Sequence, residues 1–183
     1  MMELVRPTGE HVDSYVAALR TGWSPDNSRD ACADELARIE ADVAAYLAGL
    51  DDPDALGPPI TLPDGSLAER LPSIRRWMWD GEFCGSVGMR WRTGTPDLPP
   101  TCLGHLGYAV VPWKRRLGYA TLSVQLMLPA ARELGLPYID LTTDADNEPS
   151  QRVILANGGE LVETFVKSAS YGGGGALLFR ITL

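Results

Sequence analysis

The sequence predicts a single α+β domain over residues 1–183, and three observations carry that reading. Its 183 residues fall within the roughly 100 to 200 residues of a usual domain. Apolar residues at 45% and charged residues at 22% are ordinary globular values and exclude a disordered, collagen-like or coiled-coil chain. Segments with a helical period alternate with short strand-like runs, and two of those runs are joined by Asp-Gly, a strong hairpin signal.

Taken in order, Leu4, Val5 and Arg6 form a short extended run stopped by Pro7. Thr8 can cap a helix with Val12, Tyr15, Val16 and Leu19 on one face. Residues 30–50 repeat apolar side chains at Leu36, Ile39, Val43, Tyr46, Leu47 and Leu50, which predicts one amphipathic helix. Residues 51–72 carry Pro53, Pro58, Pro59, Pro63 and Pro72 and read as a long irregular loop that lies over a site. Residues 74–79 and 83–91 are predicted strands around Asp80-Gly81-Glu82. Residues 103–111 are a buried strand ended by Pro112. Leu117, Ala120, Val124, Leu128 and Ala131 then mark a helix up to Gly135, with Pro129 inside it as an expected kink. Residues 138–142 are a strand, and the polar residues 144–147 cap a helix through Val153 and Ile154 to Asn157-Gly158-Gly159. Residues 161–166 and 176–183 are the last strands, joined by a glycine-rich connection that no helix follows.

Charge and cysteine content narrow the function classes. Lys and Arg number 16 against 24 Asp and Glu, a net of -8, and an acidic surface repels a phosphate backbone, so nucleic acid is not an expected partner. No stretch approaches the roughly 20 apolar residues of a membrane span, and the first residues lack the basic start and apolar core of a secretory signal, so a cytoplasmic location is expected. Cys32, Cys84 and Cys102 are far apart and the chain has two histidines, which predicts reduced thiols and no metal. Asp144-x-Asp146-x-Glu148 opens like a calcium loop, yet Pro149 and Leu155 stand where glycine and glutamate are needed.

Chemistry concentrates in residues 110–121, where a strand ends at Pro112, Lys114, Arg115 and Arg116 cluster, and a helix begins around Gly118. The first amides of a helix have no partner within it and sit at about +0.5 of a charge, so an anion can accept several at once. On charge alone this is a solvated run before a helix. The spacing Arg115-x-x-Gly118-x-Ala120 adds to it, together with Gly104-His105-Leu106-Gly107-Tyr108, the run Leu141 to Asn147, and Asn157-Gly158-Gly159. In these residues the chain resembles the GNAT superfamily of acetyl-CoA-dependent N-acetyltransferases, closely over residues 71–166 and loosely before them.

That resemblance implies a three-layer α/β/α fold around a mixed, mostly antiparallel sheet of about seven strands, splayed in the middle, with about four helices. It implies acetyl-CoA as co-substrate and an acceptor amine on a small molecule or peptide, with a homodimer left open. The amides of Arg116, Leu117, Gly118, Tyr119, Ala120 and Thr121 would hold the pyrophosphate of coenzyme A, with Arg115 shaping the turn. Tyr108, Ala109 and Val110 would offer backbone groups to the pantetheine arm, and the Val110 amide would stabilise the thioester oxyanion. Asn147 matches the asparagine that contacts the cofactor arm, and Ser150 lies on the same helical face. Alone, Asn147 reads as a helix cap.

An ammonium titrating near pH ~10.4 must lose a proton before it attacks. His105 is the expected base, set against an equal reading as a packed strand residue, and Asp144 comes second, set against a capping role. Relatives often carry a tyrosine seven residues after the asparagine as proton donor to the leaving thiolate. Here that residue is Ile154, which also supports a second reading, a catalytically silent coenzyme A binding or sensor module. Trp77, Trp79, Trp91 and Trp113 are expected as packing residues. Arg75, Arg76, Arg90 and Arg92 suit an acidic substrate less well than a row of exposed strand-edge charges.

Overall fold

Strand pairing divides the protein into two sheets with an opening between them. The computed structural model describes residues 1–62 and 64–183, so Pro63 of the predicted loop lies outside the described residues. The elements run β1 (Glu3–Val5), α1 (Gly9–Arg20), α2 (Cys32–Ala41), α3 (Val43–Ala48), β2 (Ile60–Thr61), β3 (Leu67–Ala68), β4 (Ser73–Trp79) and β5 (Phe83–Arg90). They continue with β6 (Leu106–Val110), α4 (Tyr119–Glu133), β7 (Tyr138–Asp144), α5 (Glu148–Ala156), β8 (Glu160–Val166) and β9 (Gly175–Thr182). One sheet has the order β1-β4-β5-β6 and the other β7-β9-β8, which makes the seven expected strands, with β2 and β3 a separate small ribbon. No helix among the described residues is long and apolar enough to cross a membrane.

Alternation along the strands sorts side chains into two cores and so into three layers. On one face Trp77, Phe83, Ala109 and Val111 pack with Val12, Tyr15 and Leu19 of α1 and with Ile39 and Tyr46. The Tyr15 ring lies 4.4 Å from Trp77 and 4.9 Å from Phe83 between centroids, and such pairs add about 0.5 to 1.5 kcal/mol each beyond area burial. On the other face Met78, Val87, Met89 and Leu106 join Val124, Met127 and Ala131 of α4, Ile154 of α5, and Ile139, Leu141, Phe179 and Ile181.

No ladder joins β6 to β7. They are tied instead just before β6 begins, where the His105 amide donates to the Asp140 carbonyl at 2.7 Å and the Thr142 hydroxyl donates to the Leu103 carbonyl. Gly104 permits this approach, since a Cβ there would lie 2.9 Å from the Asp140 oxygen.

Several boundaries differ from the sequence reading. The predicted helix over 30–50 is two helices, because Asp42 is extended and its carboxylate accepts from the Ala45 amide at 2.9 Å as an N-cap for α3. Among the described residues the helices number five, close to the expected count of about four. The hairpin keeps its expected three-residue connection, Asp80 to Glu82, with Trp79 paired to Phe83 across a bulge. The strand over 103–111 is shortened to β6 because residues 103–105 turn toward β7. Leu117 is exposed and precedes α4, which Gly118 caps in the left-handed region. Pro129 lies on the exposed face of α4, and the helix continues past it to Glu133.

Candidate active site

A long cleft runs from the segment 112–121, across the opening beside β6, to the face of the β4–β5–β6 sheet beneath α2 and the loop over residues 51–62. At its first end Pro112–Lys114 make one 3-10 turn, and Arg116 and Gly118 both have positive φ, 63° and 79°. This turn leaves the amides of residues 116–121 without a backbone acceptor, since the first helical bond is from Leu122 to the Gly118 carbonyl. Such a concave row of amides at a helix start suits a diphosphate.

The three cations of this segment do not act alike. Lys114 is clamped by Asp80 at 2.8 Å and Glu82 at 2.8 Å. The Tyr119 hydroxyl also donates to Asp80 at 2.7 Å. Burial opposes ionisation of Asp80, yet these bonds hold its carboxyl well below the usual carboxylate range. The clamp fixes the start of α4 to the hairpin turn and removes Lys114 from ligand binding. Arg115 donates through Nε to the Val110 carbonyl at 3.3 Å, and Arg116 is exposed.

Along β6 the hydrogen-bond phase decides which backbone groups face the opening. Arg90 N donates to the His105 carbonyl and Val111 N to the Cys84 carbonyl. With the register Gly88 to Gly107 and Ser86 to Ala109, antiparallel alternation commits the groups of Gly107 and Ala109 to β5 and turns those of Tyr108 and Val110 into the opening. Ala109, expected to meet the cofactor arm, is therefore spent in the ladder. The Tyr108 carbonyl accepts from Asn27 Nδ2 at 2.8 Å, so the α1–α2 connection closes one side of the opening.

The opposite wall is the start of α5. Asn147 is its N-cap, with its side-chain oxygen accepting from Ser150 N at 3.1 Å. Across the opening the Tyr108 and Ser150 hydroxyls meet at 2.8 Å. Burial raises the Tyr108 hydroxyl above its ordinary value, against the pull of the Ser150 bond. Ile154 is 1% exposed and packs in the core, so the position aligned with the usual tyrosine points away from the cleft. Asp144 lines the cleft but is ion-paired to Lys167 at 2.6 Å.

His105 is not a cleft residue. It is 0% exposed, its Nδ1 accepts from the Asp140 amide at 3.0 Å, and its ring meets Tyr138 edge-on at 6.2 Å. Burial lowers its pKa. The expected base is thus a splint between the two sheets, because residues 103–105 leave the strand alignment that would have aimed it at the cleft. His11, the other histidine, accepts from the Thr8 amide at 3.1 Å at the start of α1.

Other cleft residues escaped the sequence reading. Trp23 and Asn27 of the α1–α2 connection line it, as does Glu35, whose carboxylate accepts from the Tyr15 hydroxyl at 2.8 Å and from the Tyr46 hydroxyl. Of the tryptophans considered, Trp77 and Trp91 are buried and Trp113 is exposed.

Residues 4–160 match the family model described as acetyltransferase (GNAT) domain. The chain belongs to that family and is an acetyltransferase of the N-acetyl type. Among solved structures it is similar to the microcin C7 self-immunity acetyltransferase MccE in complex with acetyl-CoA and AMP. That match has a TM-score of 0.64 and 10% identity, over 100% of this chain and 92% of the other. It is also similar to RimL, a ribosomal L7/L12 alpha-N-protein acetyltransferase in complex with coenzyme A, at a TM-score of 0.62 and 15% identity over 100% and 94%. At these identities the likeness concerns the fold. No curated protein matches the sequence.

Proposed function

We propose that the protein transfers the acetyl group of acetyl-CoA to a primary amine on a small molecule or peptide by direct nucleophilic attack. One observation carries this reading: six consecutive amides, 116–121, lack backbone acceptors at the head of an opening into which Tyr108 and Val110 turn their own backbone groups. These amides would hold the pyrophosphate, and Arg115 and Arg116 would add charge beside it. Tyr108 and Val110 would pair with the pantetheine arm as a neighbouring strand does.

Bound acetyl-CoA supplies the electrophilic thioester carbon. The Val110 amide, with that of Tyr108 facing the same way, donates to the thioester oxygen as negative charge gathers there. Tyr108 would pass a proton to the leaving sulfur through the Ser150 hydroxyl bonded to it, the phenol regaining one from the cleft water that takes the amine's proton, a task that Ile154 cannot perform. The amine's proton passes to water in the open cleft, as neither histidine reaches it, and Asp144 serves only after parting from Lys167. Positioning then provides most of the acceleration.

Ile154 also favours a second reading, a module that binds coenzyme A without turnover. Thiol release from acetyl-CoA over a library of amines separates the two. The transferase reading expects acceptor-dependent release that Ser150→Ala slows, and cofactor binding with no release for any amine would favour the silent module.

A further inference from the structure

Carboxylates outnumber cations in this chain by 24 to 16, and most cations lining the cleft are held by one. Arg38 has Glu35 at 3.5 Å, Arg70 has Asp52 at 3.5 Å and Lys114 has Asp80 at 2.8 Å. Among the described residues four cleft arginines have no carboxylate in ion-pair reach. Arg115 and Arg116 stand at the loop that would receive the pyrophosphate. Arg75 and Arg90 stand together on the sheet, where no such anion is due.

The sheet register makes those two a pair. Arg75 on β4 is opposite Gly88 on β5, and Gly88 is opposite Gly107 on β6, so all three share one face with Arg90, two residues beyond Gly88. Neither glycine raises a side chain between the guanidinium groups. A Cβ on Gly88 would lie 4.0 Å from Arg75 Nε, and one on Gly107 would lie 3.2 Å from an Arg90 terminal nitrogen. Gly88 and Gly107 are partly exposed. The Arg75 guanidinium therefore stands beside Gly88 and that of Arg90 over Gly107, on neighbouring strands with no side chain rising from the floor between them. Two like charges so close, partly shielded from water, favour an anion between them. Glu35 and Asp26, which line the same cleft, favour the Arg75 charge from beyond ion-pair reach, and Glu35 is also held by two tyrosine hydroxyls.

We propose that Arg75 and Arg90, over the floor of Gly88 and Gly107, bind a carboxylate or phosphate of the acceptor, so that the acceptor is an amine carrying an oxyanion. The inference rests on the acetyltransferase function proposed above and adds the substrate class. The floor adjoins Tyr108, whose amide faces the opening, so amine and oxyanion belong to one molecule a few bonds apart. Of the four arginines noted in the sequence, Arg76 is held by Asp51 at 2.7 Å and Arg92 lies outside the cleft.

The test is thiol release from acetyl-CoA with matched amines: aliphatic amino acids against their amides, dipeptides against dipeptide amides, and phosphoethanolamine against ethanolamine. The expected result is a kcat/KM advantage of about tenfold or more for the anionic member of at least one pair. The first two sets report a carboxylate and the third a phosphate. Arg75→Gln and Arg90→Gln should each shrink that advantage. Gly88→Asp has room for its Cβ, the nearest atoms lying 3.7 and 4.0 Å away, and would fill the floor with an internal carboxylate and abolish the advantage. Coenzyme A affinity, measured by calorimetry on each variant, should stay within about threefold, which also certifies folding. Release with no advantage for the anionic member of any pair overturns the proposal, as does an advantage that survives Gly88→Asp, whereas a panel silent for every amine contradicts the transferase function it rests on. Failure of the wild-type protein to bind coenzyme A instead contradicts the function it rests on.

Discussion

The hydroxyl of Tyr108 on β6 meets that of Ser150 on α5 at 2.8 Å, bridging the two walls of the opening between the sheets. Burial keeps the phenol protonated past its ordinary range. Removing Ser150 Oγ by Ser150→Ala should therefore lower kcat by about tenfold to a hundredfold while coenzyme A affinity changes little. Steady-state kinetics beside calorimetry check the split. A kcat at the wild-type level would remove Ser150 from proton transfer.

The clamp of Asp80 on Lys114 and Tyr119 is a second test, because it anchors the turn proposed to receive coenzyme A. Both members of the ion pair are mostly buried, with side chains 13% and 16% exposed. Asp80→Asn should cost about 2 kcal/mol and lower Tm by about 4 to 8 °C. Since the Asp80 carboxyl is depressed in the folded protein, its stabilising share is present above the unfolded value near ~3.9 and is lost as pH falls below it. The Lys114 ammonium is raised, so its share persists up to ~10.4 and is lost above that. Thermal melts across pH should show both limbs flattened in the variant.

His105 gives a third prediction, on stability alone. Its pKa is lowered by burial, so the neutral ring stabilises the fold above the unfolded value near ~6.5, and that contribution fades as pH falls below it. His105→Ala should lower Tm at pH 7.5 and reduce the further drop between pH 7.5 and 5. The pH profile of kcat should keep its shape. A kinetic limb near pH 6.5 that vanishes in the variant would restore His105 as the base.

Gly85 supports the fourth. It has a φ of 154°, and a Cβ there would lie 2.3 Å from the Ala109 oxygen and 2.9 Å from Val110 Cα. Gly85→Ala should push β6 away from β5 at Val110, whose amide faces the opening, costing about 3 kcal/mol or more. Both Tm and kcat should fall, more steeply than in Ser150→Ala for the former.

Much of this was legible in the sequence because it is local. The turn of unpaired amides announces itself by Arg115, Gly118 and Ala120, the hairpin by Asp-Gly, and the α5 cap by Asn147 three residues before Ser150. Other features depend on pairing across distant segments. Asp80 reaches Lys114 from 34 residues away. Ala109 is lost to the ladder only because the β5–β6 phase turns its amide inward. His105 looks like a strand residue by period, yet it lies just before β6, where a tertiary contact with Asp140 sets its direction. Asp42 is the exception, a helix break that was readable as an N-cap but hidden by an unbroken apolar period on both sides.

The central claim is that the turn over residues 116–121 grips coenzyme A. Calorimetric titration with coenzyme A should give saturable heat for the wild-type protein. At a hundredfold excess over Kd, Tm should rise by about 5 to 10 °C. Gly118→Glu, which sets a carboxylate among those amides, should abolish both signals. An absence of heat and of any Tm rise in the wild type, or an unchanged Kd in the variant, would contradict the account.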